Sequence, residues 1–205
     1  MVSNRNKLVA LAGLALLLIA VGIFALSRPS GTASLDSGYS GSLMPPNVPL
    51  ADFHLVSENG GPVSLATLKG RTSIVTFLYT SCRDICPLTT QQIRGAMDQL
   101  GHDISVVAIT ADPRGDTPVA VKKWLASQQM TGRMHWALGS PAQTVTVWNA
   151  WGVAGQATST DHSAYVFVLD RDGRRCVSWP ATQLTPEGLS HDIKLLESRN
   201  GICRV

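Results

Sequence analysis

Six consecutive residues, Ile74-Val75-Thr76-Phe77-Leu78-Tyr79, are almost all β-branched, aliphatic or aromatic, with no polar–apolar alternation. Such a run reads as a strand covered on both faces. A little further on, Leu88, Ile93, Met97 and Leu100 recur among polar residues after Pro87, the spacing of an amphipathic helix. Between strand and helix stand Cys82 and Cys86, separated by three residues. Proline suits the first helical position and pushes the residue before it out of the helical region. Cys86 is therefore expected at the helix N-cap and Cys82 in the loop that leaves the strand. Both thiols would then face the positive end of a helix dipole, which lowers a thiol pKa. The expectation is a reactive site and not a buried pair.

The same alternation continues along the chain. "FHLVSENGGPVSL" reads as a hairpin around Asn59-Gly60-Gly61, and "ISVVAITA" as a second buried strand. "DTPVAVKKWLASQQM" reads as a helix capped by Thr117 with Pro118 in its first turn. A short strand near His135–Leu138 leads into the helical "PAQTVTVWNAWG". "SAYVFVLDRDGRRCVSW" is a hairpin turning at Asp172-Gly173, and "TPEGLSHDIKLLES" a closing helix capped at Thr185. Strands alternating with helices, then a hairpin and a helix, predict an α/β sandwich with a mixed central sheet flanked by helices. Groups on the strand-to-helix loops then fall at the carboxyl edge of the sheet, the usual ligand side.

No charged residue interrupts Leu8 to Leu26, and Arg5 and Lys7 precede the run. That length suits a transmembrane helix better than the roughly 7–15 residue core of a cleaved signal peptide. The basic flank keeps residues 1–7 cytoplasmic and sends the rest of the chain outside. The expectation is a single-pass cell-membrane protein with an anchor at 8–26, retained in preference to being cleaved. Residues 27–50, dominated by Ser, Gly and Pro, read as a flexible linker. Residues 51–205 are the size of one domain, placed outside the cytoplasm, where disulfides persist. The net charge of +3 over 205 residues is too small and too scattered for a nucleic-acid partner.

A disulfide between Cys82 and Cys86 would close so short a loop that it constrains the unfolded chain little, so stability is a poor reason for it. The spacing suits a dithiol, a disulfide or a chelate. Thiolates favour Cu(I), and imidazole suits Cu(II) as well. Cys176, in the last strand, and Cys203, after the last helix, are laid out so that a structural disulfide is favoured over two free thiols.

"FLYTSCRDICP" resembles the F-x-Y-T-x-C-x-x-x-C-P signature of the Sco/SenC copper chaperones, thioredoxin-like proteins that help to assemble cytochrome c oxidase. "ADPRGDTP" (Ala111–Pro118) is similar to that family's D-P-x-x-D-T-P, and "DHSAYVFVLDRDG" (Asp161–Gly173) to its D-H-S segment with the strand and turn that follow. The resemblance implies a thioredoxin-like fold and a copper site made by Cys82, Cys86 and His162, with Asp161 able to orient the imidazole. Taken alone, a histidine before a strand is more often a surface or capping residue. Two departures stand out: Arg83 occupies a position where the family commonly has proline, and "GVAGQATST" is a short approach to Asp161.

The implied partners are cytochrome c oxidase subunit II or another copper protein, and a thiol reductant. The leading reading is a non-enzymatic, membrane-anchored chaperone that passes copper, as Cu(I) or Cu(II), to the binuclear site of that subunit. The alternative is a thiol–disulfide oxidoreductase, with Cys82 and Cys86 as its redox-active pair, that reduces cysteines of the same subunit or of another extracytoplasmic protein. A third is a copper or redox sensor. No proline lies between Gly152 and Ser163, so the cis-proline that thioredoxins place beside their cysteines is missing, which disfavours general oxidoreductase chemistry. Asp112, Asp116 and Thr117 read as turn and cap residues outside the site. Trp148 and Trp151 read as helix packing, and His54, His102, His135 and His191 carry no signal of a site.

Overall fold

The computed structural model describes residues 38–45, 50, 52–153 and 164–203. The stretch 8–26, read as an anchor, and His162, implied as a ligand by the resemblance, therefore lie outside the described residues. No helix among the described residues is long and apolar enough to cross a membrane.

Eight strands form one sheet: β1 (Ser42–Leu43), β2 (His54–Ser57), β3 (Pro62–Ser64), β4 (Ser73–Leu78), β5 (Ser105–Thr110), β6 (His135–Leu138), β7 (Tyr165–Leu169) and β8 (Arg175–Pro180). Their spatial order is β1-β8-β7-β4-β5-β6-β2-β3. β4, β5 and β6 run parallel, while β7 pairs antiparallel with β4 and β8. The sheet is mixed, as the alternation predicts. Among the described residues five α-helices accompany it: α1 (Leu65–Leu68), α2 (Ile85–Leu100), α3 (Pro118–Ser127), α4 (Pro141–Trp151) and α5 (Pro186–Ser198).

All six residues of β4 are buried, and the pleat divides them between two cores. Ile74 and Leu78 join Ile93 and Met97 of α2, Leu125 of α3 and Ile193 of α5. Val75 and Phe77 join Leu68 of α1, Trp148 and Trp151 of α4 and Phe167 of β7. An uninterrupted apolar strand is what a sheet covered on both faces requires. The two polar residues of β4 are satisfied: the Thr76 hydroxyl donates to the Tyr165 carbonyl at 3.0 Å and the Ser73 hydroxyl to the Leu68 carbonyl at 3.1 Å.

The capping expectations hold at Thr117 and Thr185, and Ser140 caps a third helix. Thr117 accepts from the Ala120 N–H, Ser140 from Gln143 and Thr185 from Gly188, each followed by proline in the first turn. The hairpin at Asp172-Gly173 forms, with Gly173 at φ +80°.

Two expectations are corrected. The linker read at 27–50 does not extend to residue 50, because the compact unit begins at Gly38. Ser42 and Leu43 pair with Ser178 and Val177 of β8, and the Ser40 and Gly41 N–H groups donate to the Asp192 carboxylate on α5 at 2.6 and 2.9 Å. Glycine serves close approach here: a Cβ on Gly41 would lie 2.5 Å from the Trp179 indole nitrogen. Helix α2 also starts two residues earlier than expected, at Ile85, with Pro87 in its third position. A missing N–H costs nothing there, since the first four N–H groups have no intrahelical partner.

Candidate metal and redox site

β4 ends at Leu78, and the Ala111 N–H donates to the Leu78 carbonyl at 2.8 Å, so the segments leaving β4 and β5 lie side by side. The chain then turns through Tyr79–Cys82, with the Cys82 N–H donating to the Tyr79 carbonyl at 3.2 Å. Arg83 and Asp84 are exposed, and α2 begins. Cys82 thus sits on the turn after β4 and Cys86 in the first turn of α2, at the carboxyl edge of the parallel strands. Cys86 is not the N-cap; Asp84 is, and its side chain makes no capping hydrogen bond. The Cys82 sulfur takes that acceptor role instead, receiving the Cys86 N–H at 3.3 Å. The helix dipole is therefore aimed at one sulfur in particular.

Contrary to the expectation of an open pair, both cysteines are buried, at 5% and 2% exposure, and both are free thiols. Their acidities part in opposite directions. Burial opposes ionisation of Cys82, but hydrogen bonds from the Cys86 thiol, the Asp84 and Cys86 N–H groups and Tyr79 together outweigh it, so its pKa falls below the ordinary value. Burial pushes the Cys86 thiol far up, helped by its hydrogen bond to Cys82 and, more weakly, by the negative charges of Cys82 and Asp116. One thiolate is favoured and a second is resisted. The dipole argument holds for Cys82 and fails for Cys86, where desolvation wins.

Asp116 belongs with this pair, although the sequence reads as a plain turn there. Its carboxylate is buried at 5% exposure and points under the cysteine turn. One oxygen accepts both the Thr80 N–H and the Thr80 hydroxyl at 2.8 Å, and the other accepts the Thr110 hydroxyl at 2.5 Å. A short D-T-P string signals a cap, and nothing in it reveals which way the aspartate before the cap will face. Its neighbours behave as read: Asp112 accepts turn N–H groups from Arg114 and Gly115, and Thr117 caps α3.

A cleft of about 530 Å³ opens beside the cysteine turn, lined by Tyr79, Ser81, Asp112, Arg114, Val145 and Trp148. The Trp148 indole N–H is used internally, donating to the Thr110 carbonyl at 3.0 Å, and Trp151 is buried, so both tryptophans pack as expected. The remaining described histidines have local carboxylate neighbours: His54 with Asp52, His102 with Glu197, His135 with Glu58 and His191 with Asp192. Among the described residues, no group of three or more His, Cys, Asp or Glu side chains could hold a metal ion. The two sulfurs stand together without a third such side chain among the described residues.

A thioredoxin-like α/β fold with a buried cysteine pair at its carboxyl edge defines the class. The SCO1/SenC family model matches residues 45–196, and the chain belongs to that family. It is 29% identical over 188 residues to SenC of Rhodobacter capsulatus, covering 80% of this chain and 79% of the relative. The structure of Bradyrhizobium japonicum ScoI with copper bound matches with a TM-score of 0.59 at 28% identity, over 71% of this chain and 98% of that one. BsSco, described as a member of the Sco family of cytochrome c oxidase assembly proteins, has a TM-score of 0.64. It covers 77% of this chain and 98% of its own, and at 20% identity it shows the shared fold. The chain spans only half the length of a 40% identical protein of Stutzerimonas stutzeri, a match covering 45% of this chain.

Proposed function

We propose that this protein is an extracytoplasmic copper-binding protein, anchored by Leu8–Leu26, that carries copper on Cys82, Cys86 and His162 to the binuclear site of cytochrome c oxidase subunit II. The observation that carries the reading is the pair of buried free sulfurs at the sheet edge, one of them made acidic, in a chain of the SCO1/SenC family. Thiolates suit Cu(I), and a nitrogen ligand makes the set fit for Cu(II). Chain length supports His162 as that ligand. β7 begins at Tyr165, with Val166 opposite Thr76, so the chain enters β7 near the end of β4 that leads to the cysteines. His162 precedes Ala164 by two residues, a span of at most ~7 Å. The cleft beside the cysteine turn offers a place for a segment of the acceptor protein.

The opposed acidities favour one second reading, a thiol–disulfide reductase in which Cys82 attacks and Cys86 resolves. Disulfide exchange needs no imidazole. The deciding measurement sets copper retention by the purified, reduced full chain beside its rate of reducing a disulfide substrate. His162→Ala is expected to lose Cu(II) retention strongly and Cu(I) retention less, while Cys82–Cys86 oxidation survives. Rapid disulfide reduction with no copper retained in either oxidation state overturns the chaperone reading. Anchoring is checked separately: a mature N-terminus at or beyond Ser27, in soluble protein, replaces the anchor with a cleaved signal.

A further inference from the structure

We propose that Asp116 is a positioning residue for the dithiol, holding the Cys82 turn at the spacing from Cys86 at which the two sulfurs close into a disulfide or share a metal. The inference rests on the cysteine pair as the working site, whichever of the two chemistries it performs. Thr80 is the residue between the end of the Tyr79 strand run and Ser81-Cys82, and two of its groups end on one Asp116 oxygen. The other oxygen is tied to Thr110 at the last position of β5, which is itself fully buried. The Asp116 backbone is fixed as well, its N–H donating to the Asp112 carbonyl at 2.9 Å, and the next residue caps α3. The carboxylate thus clasps the cysteine turn to a strand end and a helix start, both rigid parts of the fold. Cys86 is held independently by α2.

The clasp matters because it links the turn to parts of the fold distant in sequence. The α2 N-cap side chain makes no hydrogen bond, and Ser81, Arg83 and Asp84 are exposed. Along Tyr79–Asp84 the Cys82 N–H bond to the Tyr79 carbonyl and the bonds that Asp84, Cys86 and Tyr79 make to the Cys82 sulfur are local to the turn and the helix start, whereas the Asp116 contacts tie it to β5 and α3. The effective concentration of one thiol at the other depends on that path, as any intramolecular reaction depends on its preorganisation. Asp116 also adds a fixed negative charge that is felt at Cys86, though burial is the larger cause of that thiol's raised pKa.

The test is the equilibrium of the full chain, free of copper, with dithiothreitol at pH 7. The Cys82–Cys86 disulfide takes two electrons and two protons, while the two thiols of the reagent close into its cyclic disulfide. Asp116→Ala releases the clasp and is expected to make the protein disulfide about tenfold easier to reduce, the loss in closure seen as a tenfold shift in the equilibrium constant. Asp116→Asn keeps an acceptor for Thr80 and turns an amide N–H towards the Thr110 hydroxyl, and is expected to stay within about threefold of the parent. Thr110→Val removes only the strand side of the clasp and gives an intermediate shift, so the idea stays testable if the alanine variant does not fold. A merely structural role moves the melting temperature of all three variants and leaves the dithiol equilibrium alone. A folded Asp116→Ala or Thr110→Val protein with the parent's equilibrium overturns the proposal. Failure to retain copper, with the shift present, would sink the chaperone reading and leave this one standing.

Discussion

At the scale of single residues, the Cys82 sulfur accepts the Cys86 N–H while the Cys86 sulfur lies deeper, so burial acts on two thiols with unequal compensation. Brief alkylation of the reduced protein at neutral pH should therefore modify Cys82 first, read by peptide mass mapping; equal labelling of both would contradict the assignment. Stability follows the same asymmetry. Below the ordinary thiol value of 9.0, unfolded Cys82 holds a proton that the folded thiolate has shed, so its contribution is present above that value and is lost as pH falls through the folded pKa. Cys86 does the reverse. Above its ordinary value of 9.0 the unfolded thiol ionises while the folded one stays protonated, and stability falls as pH rises, by up to ~1.4 kcal/mol per pH unit. Urea denaturation of the reduced protein between pH 8 and 11 (values set by the experimenter, about the ordinary thiol range) should show that fall, and Cys86→Ser should flatten it.

At the scale of elements, β1 is the segment that propensity alone does not find. Its two residues pair with β8 because Asp192, fully buried on α5, collects the Ser40 and Gly41 N–H groups and the Trp179 indole at 3.0 Å. Removing that acceptor deprives three donors of it, the Trp179 indole N–H among them buried. Asp192→Ala should cost about 2–3 kcal/mol in denaturant unfolding and free the leading segment, seen as faster chymotryptic cleavage after Tyr39. Unchanged cleavage would mean that strand pairing and the Arg199 guanidinium over the Tyr39 ring hold the segment without Asp192. The α3 cap is a smaller device: Thr117→Ala should cost roughly 1 kcal/mol in denaturant unfolding.

At the scale of the molecule, the Cys176–Cys203 disulfide joins β8 to the chain after α5, with α-carbons 5.6 Å apart and the partners 27 positions apart in the sequence. The favoured pairing is the one that forms. Cys176 is fully buried in the core shared by α2, α3 and α5. Replacing both cysteines with serine should lower the unfolding free energy by roughly 3–4 kcal/mol through the freed loop of the unfolded chain. The comparison is a denaturant titration of the variant beside the parent under non-reducing conditions. Mild reduction that opens a Cys82–Cys86 disulfide should leave this bond closed, because one of its sulfurs belongs to the fully buried Cys176.

Periodicity and punctuation determined most of the scaffold. The apolar run at β4, the threonine–proline starts of α3 and α5 and the Asp172-Gly173 turn are local signals, and local physics suffices to read them. The same holds for the candidate cysteines, since a C-x-x-x-C-P string after a buried strand carries its own chemistry. The residues that tertiary structure alone decided are those whose role depends on what lies opposite. Gly41 sits in a Gly- and Ser-rich stretch that reads as a tether, yet Trp179, distant in sequence, makes the missing Cβ a packing requirement. Asp116 has the sequence context of a turn, and only the approach of Thr80 and Thr110 turns its carboxylate inward. Cys82 and Cys86 share one helix terminus, but desolvation, which no local window contains, opposes ionisation of both, and only at Cys82 do hydrogen bonds outweigh it.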